Sequence, residues 1–220
     1  MLPFSYYYQA VIVPASICVP ISVAAFNFSN TYRPMRIVLL YLIVSGSINL
    51  IAILNSHSNN LPLLHLYTVV EFVLLMLYFI SINNNRQVLN VSYILMAVFP
   101  VLCIINVIFF QSKFQYNSYV RPVEGIILIG YCFLYFYNST EVEMTDTWAS
   151  KPFNWVNTGI LLYFSCSLFL FIFSNVIHLT LSREAKTFML NLHDTLVLIM
   201  YILFAIGFSK CKRSPTISMS

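Results

Sequence analysis

His65–Tyr78 reads HLYTVVEFVLLMLY, an apolar stretch with a single carboxylate, Glu71, near its middle. The apolar run around it extends from Pro62 to Ile82. Glu71 lies about ten residues from either end, and a helix rises about 1.5 Å per residue. That places the acid near the centre of a hydrocarbon layer about 30 Å thick. A carboxylate there costs at least about 2.5 kcal/mol and is tolerated where it faces partners or a water-filled cavity. The helix is therefore expected to turn Glu71 inward. Tyr67, one turn earlier, and Tyr78, two turns later, should share its face. The remaining helices are expected to assemble around this acid.

Composition agrees with a membrane class. Of the 220 residues, 60% are hydrophobic and 8% are charged, and the mean hydropathy is +0.82. A soluble domain carries about 25% charged residues. The net charge of +4 sits mostly at the ends of apolar runs and offers no basic stripe, so no nucleic-acid partner is expected. Cys18, Cys103, Cys132 and Cys166 fall inside apolar runs, where cysteine behaves as a small hydrophobe. No CxxC or Cys/His ligand spacing occurs in the sequence. Cys211 stands between Lys210 and Lys212, where acylation is conceivable. The first residues, MLPFSYYYQA, lack a basic n-region, so the first apolar run is expected to be a retained span.

Seven runs are long enough to cross a bilayer: Tyr8–Phe26, Arg36–Asn55, Pro62–Ile82, Val91–Phe110, Tyr119–Tyr137, Asn157–His178 and Phe188–Phe208. The expected fold is all-α, a polytopic membrane protein forming one seven-helix transmembrane domain over residues 1–220. Connections are short, the longest being Asn138–Val156. With the N-terminus outside, the inner side holds Arg33, Arg36, Arg86, Lys151, Lys210, Lys212 and Arg213. The outer side then holds Lys113, Arg121, Arg183 and Lys186. The bias favours N-outside and C-inside, while Glu141, Glu143 and Asp146 in the longest loop count for little. Pro14, Pro20 and Pro100 lie within spans and predict kinks.

Adding 100° per residue gives five helices an inward polar stripe. These are Ser45, Asn49, Ala52 and Ser56; Tyr67, Glu71 and Tyr78; Glu124, Leu128, Tyr131 and Tyr135; Ser167, Phe171, Ser174, Asn175 and His178; and Asn191, Asp194, Thr195, Leu198 and Tyr201. The first and fourth helices show little beyond Asn106 and read as packing or lipid-facing elements. Antiparallel alternation then sorts these residues by depth. It brings His65, Tyr67, Arg121, Glu124, Asn175, His178, Asn191, His193 and Asp194 to one half of the bundle, with Glu71 as its floor. Ser45, Asn49, Ser167 and Ser174 fit ordinary interhelical hydrogen bonding. The acids do not, because Asn or Ser would glue helices at a lower desolvation cost. These ten residues, His65 to Asp194, are the expected lining of a ligand cavity.

Arg121 is expected to pair with Glu124 or Asp194. It begins about a turn and a half above Glu71 and is expected to fall short of it. Glu71 would then act as a hydrogen-bond donor, to Tyr67 or to a neighbouring helix.

The stretches WVNTGILLYFSCSLFLFIFSNVI (Trp155–Ile177) and LHDTLVLIMYILFAIGFSK (Leu192–Lys210) resemble small stand-alone bacterial seven-helix membrane proteins of the sensor type. The resemblance extends over the whole chain as helix count, outward pocket and short loops. It implies a receptor in the bacterial inner membrane, in contact with membrane lipids, binding an unidentified small molecule. It also implies a sensor kinase in another chain; no cofactor is expected, zinc entering only under the hydrolase alternative below. A retinal protein would need a lysine inside the last helix, which has none before Lys210. An animal-type receptor would carry an acid-Arg-aromatic triplet after the third helix, where this chain has ISINNNR, and an NPxxY ending where it has LFAIGF.

Two other classes remain open at this level. His65, His178 and His193 with Asp194 are a candidate zinc set, with Glu71 or Glu124 as general base, as in an intramembrane lipid hydrolase. The paired histidines four apart of seven-helix hydrolases are missing, since Val197 follows His193 at that spacing. A proton-coupled transporter would use Glu71, Tyr67, Asp194 and Glu124 as a relay, yet internal repeats and glycine-broken helices are not evident.

Overall fold

The computed structural model describes residues 4–55, 59–140 and 147–211. Ser56, the acids Glu141, Glu143 and Asp146, and the basic residues Lys212 and Arg213 lie outside the described residues. All regular structure among the described residues is helical. Seven helices are long and apolar enough to cross a membrane: α1 Ser5–Phe26, α2 Arg33–Leu54, α3 Leu61–Ile82, α4 Arg86–Phe110, α5 Val120–Ser139, α6 Pro152–Thr180 and α7 Arg183–Ser209. Each matches an expected apolar run. The fourth, sixth and seventh start five residues earlier than hydropathy places them, because polar caps and first turns extend beyond the apolar segment. Pro34, Pro62 and Pro152 begin α2, α3 and α6, at positions where the missing N–H costs nothing. Asn85 caps α4 through the Gln87 N–H, and Ser182 caps α7 through the Ala185 N–H.

The prolines act where expected in α1. Pro14 has no N–H to return to the preceding turn. That turn widens over Tyr8–Ile12, with the Val13 N–H reaching back to the Tyr8 carbonyl. Pro20 leaves Ile17 outside the regular helix. In α4 the helix continues through Pro100 and widens later, at Asn106–Phe110, where the Gln111 N–H donates to the Asn106 carbonyl at 2.8 Å.

The helices close a ring in the order α1, α2, α3, α5, α6, α7, with α7 packing back on α1. α4 lies outside this ring against α3. Burial follows: 44% of the most apolar segment of α3 and of α5 is buried, against 17% in α4. Helix α4 therefore presents most of its surface outward, as its lack of a polar stripe suggests. α6 and α7 approach closely because each has a glycine at the crossing. A Cβ on Gly159 would sit 3.0 Å from the Phe204 ring, and one on Gly207 would sit 3.1 Å from the Pro152 carbonyl. The core fills with Tyr41, Phe72, Tyr78, Phe79, Phe99, Phe164, Phe204 and Phe208. Phe72 and Phe99 stack at 4.0 Å, fastening α4 to α3.

Candidate functional site

Glu71 is 1% exposed, and every contact made to it is a donation. Tyr41 Oη from α2 donates at 2.9 Å and Tyr67 Oη at 3.1 Å, both to Oε1. Arg121 Nη1 from α5 donates to Oε2. The expectation that Arg121 falls short of Glu71, leaving the acid to donate, is thus overturned. The long arginine side chain spans the difference in height between the two backbones. The same Nη1 donates to Glu124 Oε2 at 2.8 Å, and Nη2 donates to Tyr163 Oη at 3.1 Å. The pairing with Glu124 is present. Asp194 takes no part, and among the described residues it has no hydrogen bond or ion pair.

This cluster joins α2, α3, α5 and α6. One guanidinium stands between two buried carboxylates, and Glu124 Oε1 has no donor among the described residues. The apolar surroundings strengthen the attraction and raise the cost of separating the charges. Aromatic faces complete the cage. The Arg121 guanidinium carbon lies 4.9 Å from the centre of Phe171, 5.6 Å from Phe164 and 5.7 Å from Tyr67. Ser45 extends the network to Tyr67 Oη at 3.1 Å.

Above the cluster, toward the end of the bundle where α1 begins, lies a two-lobed cavity. The larger lobe has a volume of about 660 Å³ and runs between α1, α2, α3 and α7. Gln9, Asn49, Asn60 and Asp194 give it polar walls, and Tyr67, Tyr116, Tyr163 and Tyr201 line it with aromatic rings. The smaller lobe, about 290 Å³, lies between α6 and α7 and is almost wholly apolar. Leu64, Tyr116, Arg121 and His193 line both lobes, which are therefore adjacent. These are the dimensions of ordinary small-molecule sites.

The ten residues expected at the site divide into three groups. Glu71 and Glu124 line neither lobe and are reached only through Arg121, which lines both, while Tyr67 lines the larger lobe. His193, Asp194 and His178 line the cavity. His193 Nδ1 lies 3.2 Å from Ser167 Oγ, and its ring packs on Tyr163 and Phe171. His178 packs on Tyr116 with ring centres 5.3 Å apart.

The remaining three, His65, Asn175 and Asn191, line neither lobe. His65 Nε2 lies 3.0 Å from the Gln115 carbonyl. Asn175 accepts from the Tyr116 N–H and donates to the Tyr116 carbonyl and Ser118 Oγ. Together they clamp the α4–α5 connection that carries Tyr116 into the cavity. Asn191 accepts from Gln9 Nε2 at 2.8 Å and donates to Ser5 Oγ, tying α7 to α1.

No family model, curated protein or solved structure matches this chain. The site is therefore read from its own geometry. The candidate zinc set does not assemble: among the described residues no three His, Cys, Asp or Glu side chains are grouped closely enough to hold a metal ion. His65 faces a loop carbonyl, His178 a tyrosine ring and His193 a serine.

Sequence reasoning missed Tyr41, Tyr163 and Gln9. Tyr41 and Tyr163 sit in runs of apolar residues, where a tyrosine is indistinguishable from core. The one available signal was helical register, since Tyr41 stands one turn before Ser45 on the stripe of α2. The half of the bundle away from the cavity also contains polar pairs, but uncharged ones. Asn157 Nδ2 donates to Tyr78 Oη at 2.7 Å, and Tyr135 Oη donates to Asn154 Oδ1 at 2.7 Å.

Proposed function

We propose that the protein is an integral membrane receptor of the sensor type. It takes a small molecule into the cavity above Arg121 and relays its presence to a separate partner, a sensor kinase in another chain. The observation that carries this reading is the position of the charge cluster. Its Arg121, Tyr67 and Tyr163 line the cavity, and the cluster at the same time bonds α2, α3, α5 and α6 to one another. A ligand that contacts Arg121 or Tyr67 competes with the bonds that set the spacing of those helices. Low dielectric makes each of those bonds strong, so exchanging one for a ligand contact favours a discrete second arrangement. With N-outside and C-inside, the cavity opens to the outer face of a bacterial inner membrane, and the helix ends that shift lie on the cytoplasmic side.

The test is a thermal-shift screen of small molecules on the protein in nanodiscs, followed by a distance measurement. Spin labels at Asn84 and Tyr137, exposed positions at the ends of α3 and α5 away from the cavity, should change separation when a stabilising ligand binds. Binding that leaves this distance unchanged, with the ligand accumulating inside proteoliposomes, would reject the receptor and favour transport.

A further inference from the structure

We propose that the ligand is an amphipathic amine, its cationic head seated beside Asp194 in the larger lobe and its apolar tail in the smaller one. The inference rests on the cavity being a ligand site, as proposed above. Asp194 lines the larger lobe, and among the described residues nothing donates to its carboxylate. Tyr67, Tyr116, Tyr163 and Tyr201 line the same lobe. Phenol rings present negative faces, and several of them with one carboxylate make a cage suited to an ammonium group.

The nearby guanidinium does not reverse this preference. Arg121 is already matched by Glu71 and Glu124. A ligand carboxylate brought to Arg121 would be a third acid around one cation, with Asp194 also facing the lobe. A ligand ammonium would instead supply the charge that the group lacks.

The shape supplies the tail. The smaller lobe is lined by Leu170, Phe171, Ile177, Met189 and Leu190 and is almost wholly apolar. His193 borders both lobes, so they are adjacent. Lys186 also lines it, which disfavours the cationic head there and leaves the head to Asp194. A short alkyl chain is the tail that a lobe of about 290 Å³ accepts.

The experiment uses the full chain in nanodiscs of zwitterionic lipid, with empty nanodiscs as the partition control. The probes are n-octylamine, n-octanol and octanoate, compared by titration calorimetry. The amine should bind about tenfold or more tighter than the alcohol, the advantage of one charge-assisted hydrogen bond, and octanoate should be weakest. Asp194→Asn should remove that advantage and leave octanol within about twofold. Octanol or octanoate binding as tightly as the amine would overturn the inference while keeping the cavity as a ligand site. So would an Asp194→Asn variant that keeps full amine affinity. If none of the three probes binds above the empty-disc control, both this inference and the receptor reading fail. The charge series on the unaltered protein decides the matter even if the variant folds poorly.

Discussion

Replacing Arg121 by alanine removes the one cation that holds two buried acids together. Glu71 is 1% exposed and Glu124 is 0% exposed, so neither can recover its lost partner from bulk water. Three hydrogen bonds disappear at once, to Glu71, Glu124 and Tyr163. Counted singly, bonds to charged groups are worth about 1.5–3 kcal/mol each, but they share one side chain and do not add. Removing one partner of a buried pair costs about 3–5 kcal/mol. Here two carboxylates are left facing each other, so the expected loss lies at the upper part of that range. Net stabilities are only about 5–15 kcal/mol. For a chain of this size each kcal/mol lowers the melting temperature by about 2–4 °C. The variant should therefore melt roughly 10 °C or more below the parent in the same nanodiscs. Adding Glu124→Gln to Arg121→Ala removes the second acid and should restore a few degrees. A double-mutant cycle on these two positions should report a coupling of about 1–3 kcal/mol. Arg121→Ala melting within a degree of the parent would refute the reasoning that the cluster holds the helices together.

Further outcomes follow from neighbouring groups. Tyr41→Phe and Tyr67→Phe each delete a donor to Glu71 Oε1; each should cost about 1–2 kcal/mol, and the pair together should show coupling in the same melting assay. Gly159→Leu and Gly207→Leu should block the α6–α7 crossing and abolish a folded monodisperse peak in size exclusion. Gly130→Ala, with nothing near its Cβ, should leave that peak unchanged. Asn175→Ala releases three bonds to the Tyr116–Ser118 segment, so amide exchange there should accelerate while α3 stays protected. Burial pushes the Cys211 thiol up to about 11, partly offset by a hydrogen bond from the Tyr32 backbone. Because the thiolate is the reactive form, maleimide labelling of Cys211 should be slow at pH 8 and rise about tenfold per pH unit toward pH 11. Labelling at pH 8 as fast as that of a free cysteine peptide would contradict its burial.

The fold was legible because hydrocarbon imposes a simple rule. Each span needs about twenty apolar residues with its backbone bonded internally, and this chain has seven such runs. Helix ends were less legible, since caps and first turns are polar and fall outside the hydropathy signal, as at Arg86, Pro152 and Arg183. Alternation of antiparallel helices also sufficed to bring Glu71, Arg121, Glu124, His193 and Asp194 to one half of the bundle. Register could not say which of them touch. Arg121 illustrates the limit: its backbone position set it apart from Glu71, yet its reach and the packing of α5 on α3 brought the guanidinium between both acids.

By itself, the sequence determined the class, the number of spans, the inward acid on α3 and the polar half of the bundle, because these follow from periodicity and desolvation along single helices. Only the tertiary structure decided the ring order with α4 outside it, the recruitment of Tyr41 and Tyr163 to the charges, and the separation of cavity lining (His193, Asp194) from loop clamp (His65, Asn175) and interhelix tie (Asn191). Those outcomes depend on which helices are neighbours and at what distance they cross. Gly159 and Gly207 set that distance for α6 and α7. Such distances are properties of pairs of surfaces, and no single segment encodes them.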